Sequence, residues 1–261
     1  MKEYDLIVSL GGSCATACQL KTRNLRKVSM PLDYVYSKDS RCLEYLAKAL
    51  ERGFDDWCLQ ENLVLAKPEE MRPGGAPYQY FDTVTHYMYV HDFEEPCESV
   101  IEKVREKFKY RLARFKSAFA EAERIALVFD TENDDAEKGM IRVREAILRK
   151  YGAEKQIDCY LLTFDASKES VSETSGVVIR EFSHPRHLYL FHEKCYEFDM
   201  MDEWQLSDRI KSDYRGKSKT LYLQKTHKGV SVLLYRSKKF RFAFTLGIRG
   251  KRYHLAWGRV D

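Results

Sequence analysis

A glycine pair followed by a serine and a cysteine stands near the start of the chain, directly after an apolar run. The segment "YDLIVSLGGSCATACQL" predicts a strand, a tight turn and a helix that begins near Cys14. Because the first N–H groups of a helix favour a thiolate and can bind an oxyanion, we interpret Cys14 as a candidate nucleophile. The candidate substrate-binding residues are Gly11, Gly12 and Ser13. The alternatives are a cysteine that simply packs into the turn and a glycine turn that binds phosphate.

Two histidines are candidate general bases for such a nucleophile. His91 follows the strand-like "YMYV", and His184 follows the apolar run "VVIREF". A carboxylate that orients the imidazole would complete the site, and Asp33 in "MPLDY" and Asp92 beside His91 are the candidates. Each of these side chains could instead hold a nearby loop through a hydrogen bond. The histidines lack neighbouring cysteine or glutamate ligands, so we predict no metal and no cofactor.

Strand-like and helix-like patterns alternate along the N-terminal part of the chain. Apolar runs at "IALVFD", "DCYLLTFD" and "GVVIREF" are accompanied by amphipathic helical patterns, of which the strongest is "EEPCESVIEKVREKFKYRLARFKSAFAEAE". This alternation predicts an α/β fold with a largely parallel sheet flanked by helices in three layers. Functional side chains of such sheets collect at the carboxyl ends of the strands. The residues expected at that rim are Cys14, His91, Asp130, Asp165 and His184.

Charge divides the chain into two parts. Residues 1–208 carry 29 Lys and Arg against 38 Asp and Glu, whereas residues 209–261 carry 15 against 2. The C-terminal part alternates apolar and basic residues in "SVLLYRSKKFRFAFTLGIRGKRYHLAW", which predicts a basic β-ribbon. We therefore expect an α/β domain at 1–208 that carries the Cys/His site, and a basic β-rich extension at 209–261 that suits an anionic partner.

Composition excludes several classes of protein. The apolar fraction is 44% and the aromatic fraction 13%, with 6 prolines and 13 glycines, so the chain is neither disordered nor collagen-like. No apolar window reaches the roughly 18 residues of a membrane span, and the N-terminus lacks a signal-peptide pattern, so we expect a cytoplasmic protein. The seven cysteines include no CxxC pair, which argues against a disulfide framework or a zinc knuckle. Nothing in the sequence indicates an oligomeric state.

Three separated motifs resemble a bacterial family of papain-like cysteine peptidases of uncharacterised function. They are "SLGGSC" at 9–14, "LRKVSMPLDY" at 25–34 and "HDF" at 91–93. Leu32 and Tyr34 stand where that family carries aromatic residues. The resemblance covers about the first two thirds of the chain and implies a site in the order cysteine, then histidine. The alternating pattern departs from a papain architecture and is more similar to SGNH-type esterases, with Cys14 in place of their serine nucleophile.

The leading hypothesis is a cysteine-dependent hydrolase or acyltransferase. In it Cys14 attacks a carbonyl and His91 transfers the proton, and the substrate is a small-molecule acyl donor, a peptide or a glycan. The resemblance further implies a role in surface polysaccharide metabolism, because family members resemble proteins found near genes of that pathway. The competing hypothesis is a non-enzymatic module whose basic ribbon binds nucleic acid or another polyanion. A sheet with one solvated face explains the ribbon as well, so nucleic acid is expected only under the second hypothesis.

Overall fold

The computed structural model describes residues 1–37, 39–132, 136–185, 194–207 and 210, and the backbone of four strands between 219 and 259. The chain divides into two compact units, Met1–Ile210 and Lys211–Asp261. The assignment of a site to residues 1–208 and of a basic extension to residues 209–261 stays a prediction. Within the described part of the chain, no helix is both long and apolar enough to cross a lipid bilayer.

The first unit is a mixed α/β structure. Its α-helices are α1 (Cys14–Thr22), α2 (Arg41–Arg52), α3 (Cys97–Glu121) and α4 (Ala136–Tyr151). Its strands are β1 (Lys2–Tyr4), β2 (Leu6–Ser9), β3 (Val35–Ser37), β4 (Leu63–Leu65), β5 (Tyr78–Asp82), β6 (Tyr87–Phe93), β7 (Arg124–Thr131), β8 (Gln156–Thr163), β9 (Ser170–Thr174), β10 (Val177–Glu181) and β11 (Trp204–Leu206). Short 3₁₀ segments lie at Gln60–Asn62, Pro68–Glu70 and Tyr196–Glu203.

A five-stranded central sheet runs through the core in the order β2-β7-β8-β10-β9. Its first four strands are parallel, and β9 pairs antiparallel with β10 at one edge. Seven consecutive residues of β7 are buried, as expected for a parallel strand covered on both faces. The prediction of a largely parallel sheet flanked by helices is therefore confirmed. The finer likeness to SGNH-type esterases stays a prediction.

A second, antiparallel sheet in the order β3-β6-β5-β4 carries His91. The expectation that the "YMYV" strand ends at His91 and belongs to the parallel sheet is wrong. Only four residues separate the end of β5 from the start of β6, whereas a parallel connection needs a dozen or more. Asp82 closes this hairpin, because its Oδ1 accepts the N–H groups of Val84 and Thr85 at 3.0 Å each.

Helix α3 covers the second sheet with one apolar face. Phe108, Phe115 and Phe119 lie on that face at helical spacing and are almost completely buried. The Phe108 ring meets the Tyr89 ring of β6 edge-on, with centroids 5.2 Å apart. The phenylalanine stripe of α3 is therefore core, and it holds the strand that carries His91.

The second unit contains a four-stranded antiparallel sheet. Its strands are β12 (Lys219–His227), β13 (Val230–Ser237), β14 (Phe240–Ile248) and β15 (Lys251–Arg259), paired in chain order. Their side chains lie outside the described residues. The predicted basic character of this ribbon and its use as a binding face therefore stay predictions.

Candidate active site

The glycine turn after β2 places Cys14 at the first position of α1. Gly11 has a φ of +83°, a conformation that favours glycine. A Cβ at Gly12 would lie 1.7 Å from the backbone carbonyl oxygen of Asp130, so no side chain fits there. Ser13 is the N-cap of α1, and its side chain accepts the N–H of Ala15 at 3.1 Å. Cys14 itself is half-buried.

Asp130, near the end of β7, anchors this turn to the central sheet. Its buried carboxylate accepts the Ser13 N–H at 3.1 Å, the Ser13 hydroxyl at 2.5 Å and the Thr16 hydroxyl at 2.7 Å. These bonds fix the helix start that carries Cys14. They also use the Ser13 N–H, so Ser13 positions the turn and does not supply an oxyanion donor from its backbone.

A seam of two hydrogen bonds joins the glycine turn to the antiparallel sheet. The Ser37 N–H of β3 donates to the Gly12 carbonyl at 3.1 Å, and the Tyr87 hydroxyl of β6 donates to the Leu10 carbonyl at 2.9 Å. The Gly11 Cα faces Val35, because a Cβ there would lie 2.7 Å from Val35 Cγ2. Strand β3 is therefore the element that brings the His91 sheet against the start of α1.

A small cavity lies where the two sheets meet, and both Cys14 and His91 line it. Its volume is about 70 Å³, enough for a functional group of a substrate. The lining residues are Ser13, Cys14, Tyr34, Val35, Tyr36, Arg72, Pro73, Gly74, Val90 and His91. Cys14 and His91, which are 77 positions apart in the sequence, therefore line the same cavity.

His91 sits on an irregular stretch of β6. The β5–β6 register shifts between Tyr78 and Tyr80, opposite the stretch that contains His91, and such bulges re-aim side chains. The imidazole meets the Tyr34 ring edge-on, with centroids 6.2 Å apart. Desolvation lowers the pKa of His91 below its usual 6.5, and the charges of Asp92 and Glu94 oppose that shift. The ring is therefore neutral at pH 7 and able to accept a proton.

Asp33 lies behind the cavity and not in it. Its side chain is only 1% exposed, pairs with Arg26 and accepts the Met30 N–H at 2.8 Å. Burial raises the pKa of Asp33, and the positive charge of Arg26 opposes that rise. Arg26 in turn donates to the Tyr34 hydroxyl at 2.9 Å. Among the described residues, these contacts link Asp33 to His91 through Arg26 and the Tyr34 ring.

Asp92 faces α3 and not the cavity. Its carboxylate is 3% exposed and forms an ion pair with Lys107. Within the described residues its Oδ2 has no hydrogen-bond partner. This pairing ties β6 to α3.

His184 lies in a different cluster, beyond the end of β10. That strand is three positions from β2 in the sheet, about 14 Å away at the usual spacing. The His184 ring bonds to the Pro185 carbonyl at 2.9 Å and to the Tyr196 hydroxyl, and its Nε2 lies 3.9 Å from the buried Glu197 carboxylate. Asp165 joins this cluster through its N–H, which donates to the His184 carbonyl at 3.1 Å. His184 is absent from the lining of the Cys14 cavity.

Arg72 and Tyr36 are cavity residues that the sequence patterns did not single out. Arg72 belongs to the loop segment "KPEEMRPGGAP", and its side chain lies over the Tyr36 ring. A basic residue beside a Pro-Gly-Gly turn was the available signal, but no spacing rule connects it with a cysteine 58 residues away. Among the described residues, no group of three or more His, Cys, Asp and Glu side chains could hold a metal ion.

The fold and the site define a class: an α/β protein with a cysteine at a helix start and a histidine from a second sheet in one cavity. Residues 5–158 match the family described as "Putative papain-like cysteine peptidase", and the chain belongs to that family. A protein of Acanthamoeba polyphaga mimivirus described as "Uncharacterized protein R408" is 25% identical over 144 residues, which are 50% of this chain and 63% of that relative. The match thus spans less than two thirds of the relative. No solved structure matches the chain.

Proposed function

We propose that the protein is a cysteine-dependent acyl hydrolase or acyltransferase with Cys14 as nucleophile and His91 as general base. The observation that carries the proposal is the cavity that both residues line, at the start of α1. A thiol there lies at the positive end of the helix dipole, which favours the thiolate and the developing oxyanion. We assign no proton-transfer step to His184 or Asp92, because His184 bonds to Tyr196 and Asp92 pairs with Lys107.

The reaction begins when His91 accepts the proton of the Cys14 thiol. The Cys14 Sγ then attacks the substrate carbonyl carbon, and the carbonyl electron pair moves to oxygen. When the tetrahedral intermediate collapses, the bond to the leaving group breaks and the imidazolium returns the proton to it. A water or an acceptor hydroxyl, deprotonated by His91, attacks the resulting thioester and releases the thiol.

The protonation state of His91 before the attack determines how the first proton transfer takes place. Because desolvation lowers its pKa, the ring is unprotonated at pH 7 and acts as a base toward the thiol. A preformed thiolate–imidazolium pair would require a histidine whose pKa exceeds that of the thiol, and the lowered pKa of His91 acts against such a pair. We therefore propose proton transfer during attack and not an ion pair at rest.

The test is the rate of iodoacetamide alkylation at each of the seven cysteines, followed by peptide mass spectrometry in the native protein. We expect Cys14 to react fastest. His91→Ala should slow alkylation of Cys14 by at least about tenfold, which is below the roughly hundredfold that general-base catalysis contributes at its lower limit. Burial raises the pKa of Cys18, one helical turn away, so that thiol serves as the slow internal reference.

The matched control is His184→Ala, which removes an imidazole that follows β10, three strands away from β2 along the same rim. It should leave the Cys14 rate unchanged. If His184→Ala slows Cys14 and His91→Ala does not, the base is assigned to the wrong histidine. If Cys14 reacts no faster than Cys18, the proposal loses its nucleophile.

A further inference from the structure

Arg72 belongs to the candidate cavity that Cys14 and His91 line. Among the described residues that line the cavity it is the one with a permanent charge, and none of those residues is acidic. The remaining lining groups are aromatic, apolar or neutral, apart from the Cys14 thiol and the His91 imidazole. A guanidinium in such surroundings attracts an anionic ligand group more strongly than the same cation in water.

The protein holds Arg72 in place at both its backbone and its side chain. The Arg72 N–H donates to the Gln79 side-chain oxygen at 2.8 Å, and the Gln79 amide donates back to the Arg72 carbonyl at 2.8 Å. The guanidinium carbon lies 3.7 Å from the Tyr36 ring centroid, and the guanidinium also donates to the Tyr36 hydroxyl. A cation fixed in this way loses little freedom when it binds a ligand.

The loop that carries Arg72 is itself fastened to the strand that carries His91. The Ala76 N–H donates to the Val90 carbonyl at 2.7 Å, and a Cβ at Gly75 would lie 2.8 Å from that same carbonyl oxygen. Arg72 and His91 are thus connected through one residue of β6. Arg72 and the proposed base His91 therefore line the cavity from two backbone segments that are hydrogen-bonded to each other.

We propose that Arg72 makes the cavity selective for substrates that carry an anionic oxygen group, a carboxylate or a phosphate, beside the reacting carbonyl. This inference rests on the proposed function of Cys14 and His91 and adds the substrate class. Guanidinium groups bind both anions through paired N–H donors. The cavity of about 70 Å³ has room for such a group beside the thiol.

The experiment uses two alkylating reagents that differ in charge, iodoacetate and iodoacetamide. In each case the Cys14 sulfur displaces iodide, and the rate is divided by that of glutathione with the same reagent. We expect this normalised iodoacetate-to-iodoacetamide ratio to be about ten at Cys14, because one charge-assisted hydrogen bond has an effect of that size. Arg72→Gln should bring the ratio to about one, while the exposed surface variant Arg142→Gln should keep it.

A second measurement on the unmodified protein covers the case in which Arg72→Gln does not fold. Succinate, inorganic phosphate and the neutral succinamide are tested for protection of Cys14 against iodoacetamide. Protection by succinate or by phosphate, but not by succinamide, supports the proposal and names the preferred anion. Equal protection by all three, or by none, overturns it.

The two proposals fail in different ways. If Cys14 reacts with neither reagent faster than Cys18, the nucleophile is absent and both proposals fall. If Cys14 reacts fast with both reagents but the normalised ratio is near one in the wild-type protein, the nucleophile stands and the anion selectivity falls.

Discussion

The two histidines that follow strand-like segments lie in contrasting surroundings. His91 borders a cavity that it shares with Cys14, and its ring contact is the edge of Tyr34. His184 is bonded to Pro185 and Tyr196 and packs among aromatic rings. The first histidine borders the cavity in which we propose the reaction, and the second bonds to Tyr196 of the Tyr196–Glu203 segment.

This contrast shows that a position after a strand does not define a role. The same holds for the two strand-end aspartates. Asp130 is fully buried and accepts three hydrogen bonds from the first residues around α1, whereas Asp165 is exposed and offers its backbone to His184. Within the histidine pair and within the aspartate pair, the two residues differ in the structural element that packs against them.

The largest expected effect is the loss of acyl chemistry in Cys14→Ala. Because no other group in the cavity replaces the thiol as nucleophile, thioester hydrolysis should fall by at least about a thousandfold. Cys18→Ala, one turn further along α1, should stay close to wild type. Turnover of an acetyl thioester checks both variants, and equal loss in the two would erase the distinction between them.

The next effect is on stability and separates the two aspartates. Asp130→Ala leaves three buried donors without an acceptor, so we expect a loss of about 3 kcal/mol in the free energy of unfolding. Asp165→Asn keeps a residue that tolerates the positive φ of 63° and should cost less than about 0.5 kcal/mol. Urea unfolding monitored by circular dichroism measures both. Similar midpoints would contradict the anchoring role of Asp130.

A smaller effect is expected at His184. His184→Asn removes ring contacts with Phe164, Phe182 and Tyr196 and should cost about 1 kcal/mol of stability. Acyl turnover should change by less than about twofold, because the ring does not border the cavity. A tenfold loss of turnover in a folded His184→Asn protein would place this histidine in the reaction.

The smallest effect is a shift in pH dependence. Because folding lowers the pKa of His91, the neutral base persists below pH 6.5, and the acid limb of Cys14 alkylation should lie below that value. Protonation of His91 favours the unfolded chain, so its contribution to stability is present above pH 6.5 and is lost as the pH falls toward the folded pKa. Alkylation rates from pH 4.5 to 8 measure the limb. A midpoint above 6.5 would show that a neutral His91 does not assist the thiol.

The sequence predicted the parallel core and the Cys14 turn because both depend on local patterns. Apolar runs such as that of β7 and the Gly-Gly-Ser-Cys order carry their structural meaning within a few residues. The second sheet was missed because short strands with mixed polarity resemble parallel strands unless the hairpin at Asp82 is recognised. Arg72 was missed because its place beside Tyr36 depends on β3, which is only three residues long.

The seam between the two sheets determines whether heat or denaturant first affects the proposed chemistry or the folded structure. Cys14 is tied to the parallel sheet through Asp130, and His91 belongs to the antiparallel sheet, so the distance between thiol and imidazole depends on the bonds Ser37–Gly12 and Tyr87–Leu10. Each sheet has its own internal ladder, which small displacements at the seam do not disturb. Mild denaturant or heat should therefore extinguish the chemistry while both sheets still give their full spectroscopic signal. We therefore expect inactivation to precede unfolding.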